Sequence, residues 1–217
     1  MGIEENICIL MADLSGYTAL TEAHGAISAA DLIDRYIAIV EACLVGDSHL
    51  QERRGDEVMI VSSAPDSLLE TAVRIMDSTS SEPNFLQVHG GLHYGKVLKR
   101  GNSYYGSTIN LTSRIAAKAG PGTFWCSRAF KDALSDTSHI RLIPMGQHSF
   151  KNISGYLEMF ELQSETGKAV YIDSVCRMLI LDTAQAIRHP TIEGIFFCSA
   201  ACLDIYEKDQ PAHPEVS

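Results

Sequence analysis

The run ICILMADL at residues 7–14 is apolar except for one carboxylate, and a turn signal follows it at once. A continuous apolar stretch of that length is read as a buried strand. Asp13 stands at its end, and Gly16-Tyr17-Thr18 forms the turn. A carboxylate at a strand end often just accepts hydrogen bonds from the turn that follows. Its surroundings in sequence decide whether it has a further use.

Other segments punctuate the chain. Ser28 is read as the N-cap of a helix whose apolar positions Leu32, Ile33, Tyr36, Ile37, Val40 and Leu44 keep helical spacing. Residues 57–62 (EVMIVS) read as a strand, 67–76 as a helix, and 86–98 (LQVHGGLHYGKVL) as β structure in which Gly90 and Gly91 mark a bend or a close backbone approach. A third helix is expected over 109–119, closed by Gly120-Pro121-Gly122. Then come a short strand at 124–127, a short helix at 129–134, and a hairpin-like strand pair in SFKNISGYLEMFEL. Strands and helices alternate without the regular period of a doubly wound sheet, so the expected fold is α+β, a ferredoxin-like βαββαβ core with extensions. The polar run QSETGKA (163–169) reads as a linker, and three of the six cysteines lie beyond it. Two units are expected, residues 1–165 and a small cysteine-containing unit at 170–214.

Composition excludes several roles. The net charge of −10 repels a polyanion, so nucleic acid is not an expected partner. It does not exclude a small phosphorylated ligand, because a divalent ion held by carboxylates inverts the local field. No apolar run reaches the roughly 20 residues of a membrane-spanning helix, and the N-terminus MGIEENICIL is acidic where a signal peptide is basic. The expectation is a soluble cytoplasmic protein with no membrane partner, whose cysteines are reduced thiols or metal ligands.

A second carboxylate gives Asp13 a context. In QERRGDEVMIV, Gly55-Asp56 immediately precedes another apolar strand, where a tight turn would present Asp56 beside Asp13. Two such aspartates suit a pair of partly hydrated Mg²⁺ or Mn²⁺ ions. The Gly16-Tyr17-Thr18 turn offers backbone N–H groups near a helix start, suited to a polyphosphate. In YYGSTINLTSRIAAKAGPG, Asn110 and Arg114 are four apart and project from one helix face. There Arg114 can stabilise charge on a pentavalent phosphorus and Asn110 can orient a sugar oxygen. Standing alone, that pair would read as a solvated helix face.

Together the segments ILMADLSGYTALTE, RRGDEVMIV, VHGGLHYGKV, YYGSTINLTSRIAAKAGPG and SFKNISGYLEMFEL resemble the class III adenylate/guanylate cyclase catalytic domain, in family order over most of residues 5–162. The resemblance implies attack of a ribose 3′-hydroxyl on the α-phosphate of a nucleoside triphosphate, giving a 3′,5′-cyclic nucleotide and pyrophosphate. It implies Asp13 and Asp56 as metal ligands on one chain, and Asn110 and Arg114 as catalytic groups from a second, hence a homodimer. Lys151 falls near the family's phosphate-binding lysine. At the base-reading positions stand Glu52 and Ser103, where adenylate cyclases commonly carry Lys with Asp or Thr, and guanylate cyclases Glu and Cys. A carboxylate suits guanine's N1–H and exocyclic amine, and a hydroxyl can donate to O6, so the pair leans slightly to GTP over ATP. Arg53 or Arg54 would take the reading position after a register slip. The alternative is a catalytically inactive cyclase-fold module that senses nucleotide or metal.

Two patterns are set aside. Gly90–Lys96 matches part of a P-loop but continues with Val97 in a β context. His89 and His93 share a strand face without an evident third ligand, so packing or surface roles are expected.

In the C-terminal unit, Cys176, Cys198 and Cys202 form C-x21-C-x3-C. Two thiols one helical turn apart, with a third from a preceding strand, make a soft-metal site for an ion such as Zn²⁺ or Cu⁺, or else a small buried thiol core. The segment resembles the YHS/TRASH-like cysteine modules, with Ser174 and Arg177 replacing that family's Pro and Gly. A fourth ligand is not obvious from the sequence; His189 or His213 could serve.

Overall fold

The computed structural model describes residues 2–135, 140–163 and 171–209. Its spine is β1 (Ile3–Ser15), paired along its whole length with β4 (Gln87–Arg100) and on its other side with β3 (Glu57–Ser62). With β2 (His49–Arg54) these strands lie in the antiparallel order β2-β3-β1-β4, connected through α1 (Tyr17–Cys43) and α2 (Pro65–Ser80). This is the expected βαββαβ core. The extension adds β5 (Ser103–Tyr105), α3 (Ser107–Lys118), β6 (Phe124–Ser127), α4 (Arg128–Ala133), β7 (Leu142–His148) and β8 (Leu157–Leu162), and the sheet continues from β4 as β6-β8-β7.

The period-2 geometry of β1 sorts its side chains. Cys8, Leu10, Ala12 and Leu14 join the main core with α1, α2 and Phe130 of α4, whereas Ile7, Ile9 and Met11 pack with Met59, Val61, Val97 and Ala116 on the opposite face. Asp13 belongs by parity to that second face, which carries α3 instead of α1 and α2.

Three expectations change. Helix α1 begins at Tyr17 and runs past Ser28; its break is at Gly25, with φ 81° and ψ 167°, a conformation open to glycine. The stretch before the break buries Leu20 and no other residue, and Gly16 caps it without a side-chain hydrogen bond, so neither apolar period nor cap chemistry announces it. The strand pair at the end of the core is β7 with β8, and β7 precedes the segment SFKNISGYLEMFEL instead of lying in it. The polar edge strand β2 was not anticipated.

Most of the expected linker lies outside the described residues. Beyond it stand two short hairpins, β9 (Tyr171–Ile172) with β10 (Leu179–Ile180) and β11 (Ile187–Arg188) with β12 (Phe196–Phe197), followed by α5 (Ala200–Asp209). Cys176, Phe197 and Cys202 of this unit are buried in the same apolar cluster as Leu20, Leu32 and Tyr36 of α1. The Leu179 N–H donates to the Phe85 carbonyl at 2.7 Å, and Leu86 bridges to Met178, which tethers the unit to the entry of β4.

Candidate active site and cysteine cluster

Gly55, at φ 64°, turns β2 into β3 and sets Asp56 near enough to Asp13 for its charge to act on that carboxyl. Burial raises the pKa of Asp13, the charge of Asp56 adds to it, and the carboxyl reaches about 7. A cation held between the two carboxyls would relieve the repulsion that raises Asp13. The pair therefore fits divalent metal on its own chemistry. Asp13 also accepts the Leu14 N–H at 3.0 Å, the strand-end hydrogen bond of the simpler reading. Burial of Tyr36 on α1 raises its pKa, and the charges of Asp13 and then Asp56 raise it further.

Across the strand pair, Asp13 faces His89, whose Nδ1 lies 2.9 Å from Ser15 Oγ. His93 lies on the same face with its Nδ1 2.7 Å from Ser127 Oγ, and burial lowers its pKa to about 4. Neither histidine is part of the metal-ligand cluster found among the described residues. Gly90–Lys96 is strand throughout, so the partial P-loop match carries no loop.

Between the two histidines Gly91 admits α3: a Cβ there would stand 2.3 Å from the Ala116 nitrogen and 2.8 Å from the Thr112 carbonyl. The helix is held at its start by Thr108 Oγ1, which donates to the Lys96 carbonyl at 2.6 Å. Asn110 is exposed and Arg114 half-exposed, with the Arg114 guanidinium donating to the carbonyl of Lys151. Two residues singled out separately in the sequence are thus joined. That contact lies toward β7 and β8, on the other side of β4 from β1. Among the described residues no hydrogen bond or ion pair joins Asp13 or Asp56 to Asn110, Arg114 or Lys151.

Glu52 and Arg54 line a shallow cleft of about 60 Å³ with Met11, Glu57, Met59 and Ile109. Their side chains pair at 2.8 Å. Arg53 reaches the opposite way, to 3.9 Å from Asp34 of α1, so Arg54 is the arginine beside the base-reading position. Ser103 is exposed on β5, and Gln51 Nε2 donates to the neighbouring Asn102 carbonyl at 2.5 Å, which holds that turn against β2.

Gly16 takes φ 98° at the start of α1, and a Cβ there would stand 2.6 Å from Arg177 Cβ. Arg177 of the C-terminal unit thus packs on the Gly16 side of the turn that the sequence marks for polyphosphate, while Thr18 stays exposed. Arg177 itself adopts φ 67°, the left-handed conformation that glycine takes most readily.

The three cysteines converge, and among the described residues the histidine beside them is His24, not His189. Cys176, Cys198 and Cys202 gather with His24, their ligand atoms all within 4.8 Å of one another. His189 instead packs on Phe197 and Tyr206 and accepts the Ile192 N–H through Nδ1 at 3.0 Å. His213 lies outside the described residues. Nothing local in sequence marks His24, which sits 152 positions before Cys176.

The profile of the adenylate and guanylate cyclase catalytic domain matches residues 1–164. The chain belongs to this family. The cyclase-family chain is 38% identical over 126 residues to an uncharacterized protein of Mycobacterium bovis, covering 58% of this chain and 33% of that one. It is 27% identical over 163 residues to an adenylate cyclase of Glutamicibacter nicotianae, covering 75% of this chain and 40% of that one. It thus spans two-fifths or less of the length of these relatives. Its fold matches a structure of Trypanosoma brucei adenylate cyclases in their monomeric state, with TM-score 0.70 and 18% identity over 82% of this chain and 93% of that one. No helix among the described residues of this cyclase-family chain is long and apolar enough to cross a membrane.

Proposed function

We propose that the protein is a homodimeric nucleotidyl cyclase that converts a nucleoside triphosphate to a 3′,5′-cyclic nucleotide and pyrophosphate. The observation that carries this reading is the Asp13–Asp56 pair, two neighbouring carboxyls of which Asp13 lies on the sheet face that also carries α3. Two Mg²⁺ or Mn²⁺ ions bound there would favour attack by the 3′-hydroxyl and neutralise the leaving phosphates. Asp13 and Asp56 supply the oxygen ligands. First-turn N–H groups at Tyr17 and Thr18 suit the polyphosphate. Asn110 orients the ribose, Arg114 stabilises the charge that builds on the α-phosphate, and Lys151 binds phosphate.

Separation within one chain supports the dimer. Arg114 is turned toward the β7–β8 side, away from Asp13, and the cleft beside Glu52 is far too small to enclose a nucleotide. A two-fold partner would bring its own Asn110 and Arg114 to the aspartates. For the base, Arg54 adds a donor beside the Glu52 acceptor, a combination that complements adenine N1 and its exocyclic amine. Relatives named adenylate cyclases point the same way. ATP is therefore the substrate this edge supports, in place of the slight lean to GTP drawn from Glu52 and Ser103 alone.

Complementation tests the shared site. Asp56→Ala and Arg114→Ala chains, each inactive alone, should regain about a quarter of wild-type activity when refolded together, because half the dimers then hold one intact site. A mixture as inactive as its components, with mixed dimers shown to form, contradicts a site built from two chains.

A further inference from the structure

We infer that His24, Cys176, Cys198 and Cys202 form a tetrahedral zinc site that binds the C-terminal unit to α1 of the cyclase domain. The geometry is that of a coordination shell. Cys176 Sγ lies 3.4 Å from Cys198 Sγ, and Cys198 Sγ 3.7 Å from Cys202 Sγ. His24 Nε2 is 3.5 Å from Cys198 Sγ and 3.4 Å from Cys202 Sγ. A tetrahedral ion with Zn–S of about 2.3 Å and Zn–N of about 2.0 Å sets S···S edges near about 3.8 Å and S···N edges near about 3.5 Å. These four edges lie within about 0.4 Å of those values, the remaining two are no longer than 4.8 Å, and the sulfurs are too far apart for a disulfide, which requires about 2.0 Å. Four protein ligands close the shell, the mark of a structural site.

The support around the ligands is ordered in the same sense. Asp173 is fully buried, and its carboxylate accepts the N–H groups of Val175 at 2.8 Å, Cys176 at 3.1 Å and Cys198 at 2.7 Å. One side chain therefore fixes both cysteine-bearing loops. Cys202 stands one turn into α5 from Cys198, and Ser199 Oγ accepts its N–H at 3.3 Å.

His24 is the residue that changes the meaning of the cluster. It comes from the first stretch of α1, immediately before the Gly25 break, in the domain that carries Asp13. An ion held here ties that stretch to the loop of Cys176, and the next residue, Arg177, presses on Gly16 at the β1–α1 turn. Zinc occupancy therefore fixes the turn that follows Asp13. The metal site itself does not depend on the cyclase reading.

The test uses the full chain, stripped of metal under reducing conditions and titrated with Co²⁺ or Zn²⁺ alone. One Co²⁺ per chain should bind with the intense visible bands of a tetrahedral thiolate site, and Zn²⁺ should displace it. His24→Ala should shift those bands and weaken binding at least about tenfold, while His24→Cys should restore tight binding with the spectrum of a four-thiolate site. Hydrogen exchange at residues 16–24 should slow on zinc loading in the wild type and not in His24→Ala. No stoichiometric Co²⁺ binding by the folded wild type overturns the site. A spectrum and affinity unchanged in His24→Ala overturn the bridge to the cyclase domain, whatever the cyclase assay shows.

Discussion

Gly91 lies so close beneath α3 that a Cβ on it would stand 2.3 Å from the main-chain nitrogen of Ala116. Backbone cannot yield as a side-chain end does, so Gly91→Ala must lift the helix that carries Asn110 and Arg114. Overpacking of this kind costs about 1–3 kcal/mol. Gly91→Ala should lower the unfolding free energy by that amount in denaturant titration and reduce cyclase turnover more than substrate affinity. Equal loss of both, or neither, would show that the approach of α3 does not position the site.

Tyr36 offers a converse case. Its hydroxyl is buried and has no hydrogen-bond partner among the described residues. Leaving a buried polar group unsatisfied costs about 1–3 kcal/mol. Tyr36→Phe keeps the ring and removes the cost, so thermal unfolding should move to higher temperature. A clear drop in melting temperature would mean that the hydroxyl has a partner in solution.

His93 sets a pH dependence. Burial lowers its pKa to about 4, below the value of about 6.5 for an unfolded histidine. The unfolded chain therefore takes up the proton first as pH falls. The stability His93 contributes is present above about pH 6.5 and is lost as pH drops toward about 4. His93→Gln retains a polar partner for Ser127 and should flatten the melting-temperature profile across that window. An unchanged profile would assign the acid sensitivity to other groups.

What the sequence revealed, and what it hid, follows from how each segment is buried. Ile7–Leu14 and Glu57–Ser62 are sealed between layers, so their apolar runs announced them. The β2 strand HLQERR lies at a sheet edge with mostly exposed side chains and carries no such signal. The start of α1 was hidden for a related reason: its first stretch packs partly on the C-terminal unit, and a single sheet-facing stripe is missing. Asp13 and Asp56 were legible because a strand end and a Gly-Asp turn predict where each side chain stands. His24 was not, since its partners come from the other end of the chain and only tertiary packing brings them together. Arg54 and Arg53 could be told apart only once the β2–β3 register was known.

The most direct test of the central claim is mass-spectrometric analysis of products. The purified full chain is given Mn²⁺ with ATP, GTP, CTP or UTP in turn, beside an Asp56→Ala variant. The expected result is a 3′,5′-cyclic nucleotide, formed fastest from ATP, together with pyrophosphate, and both lost in the variant. No cyclic product from any triphosphate, with nucleotide still bound by the folded protein, would contradict the enzyme and leave a cyclase-fold binding module in its place.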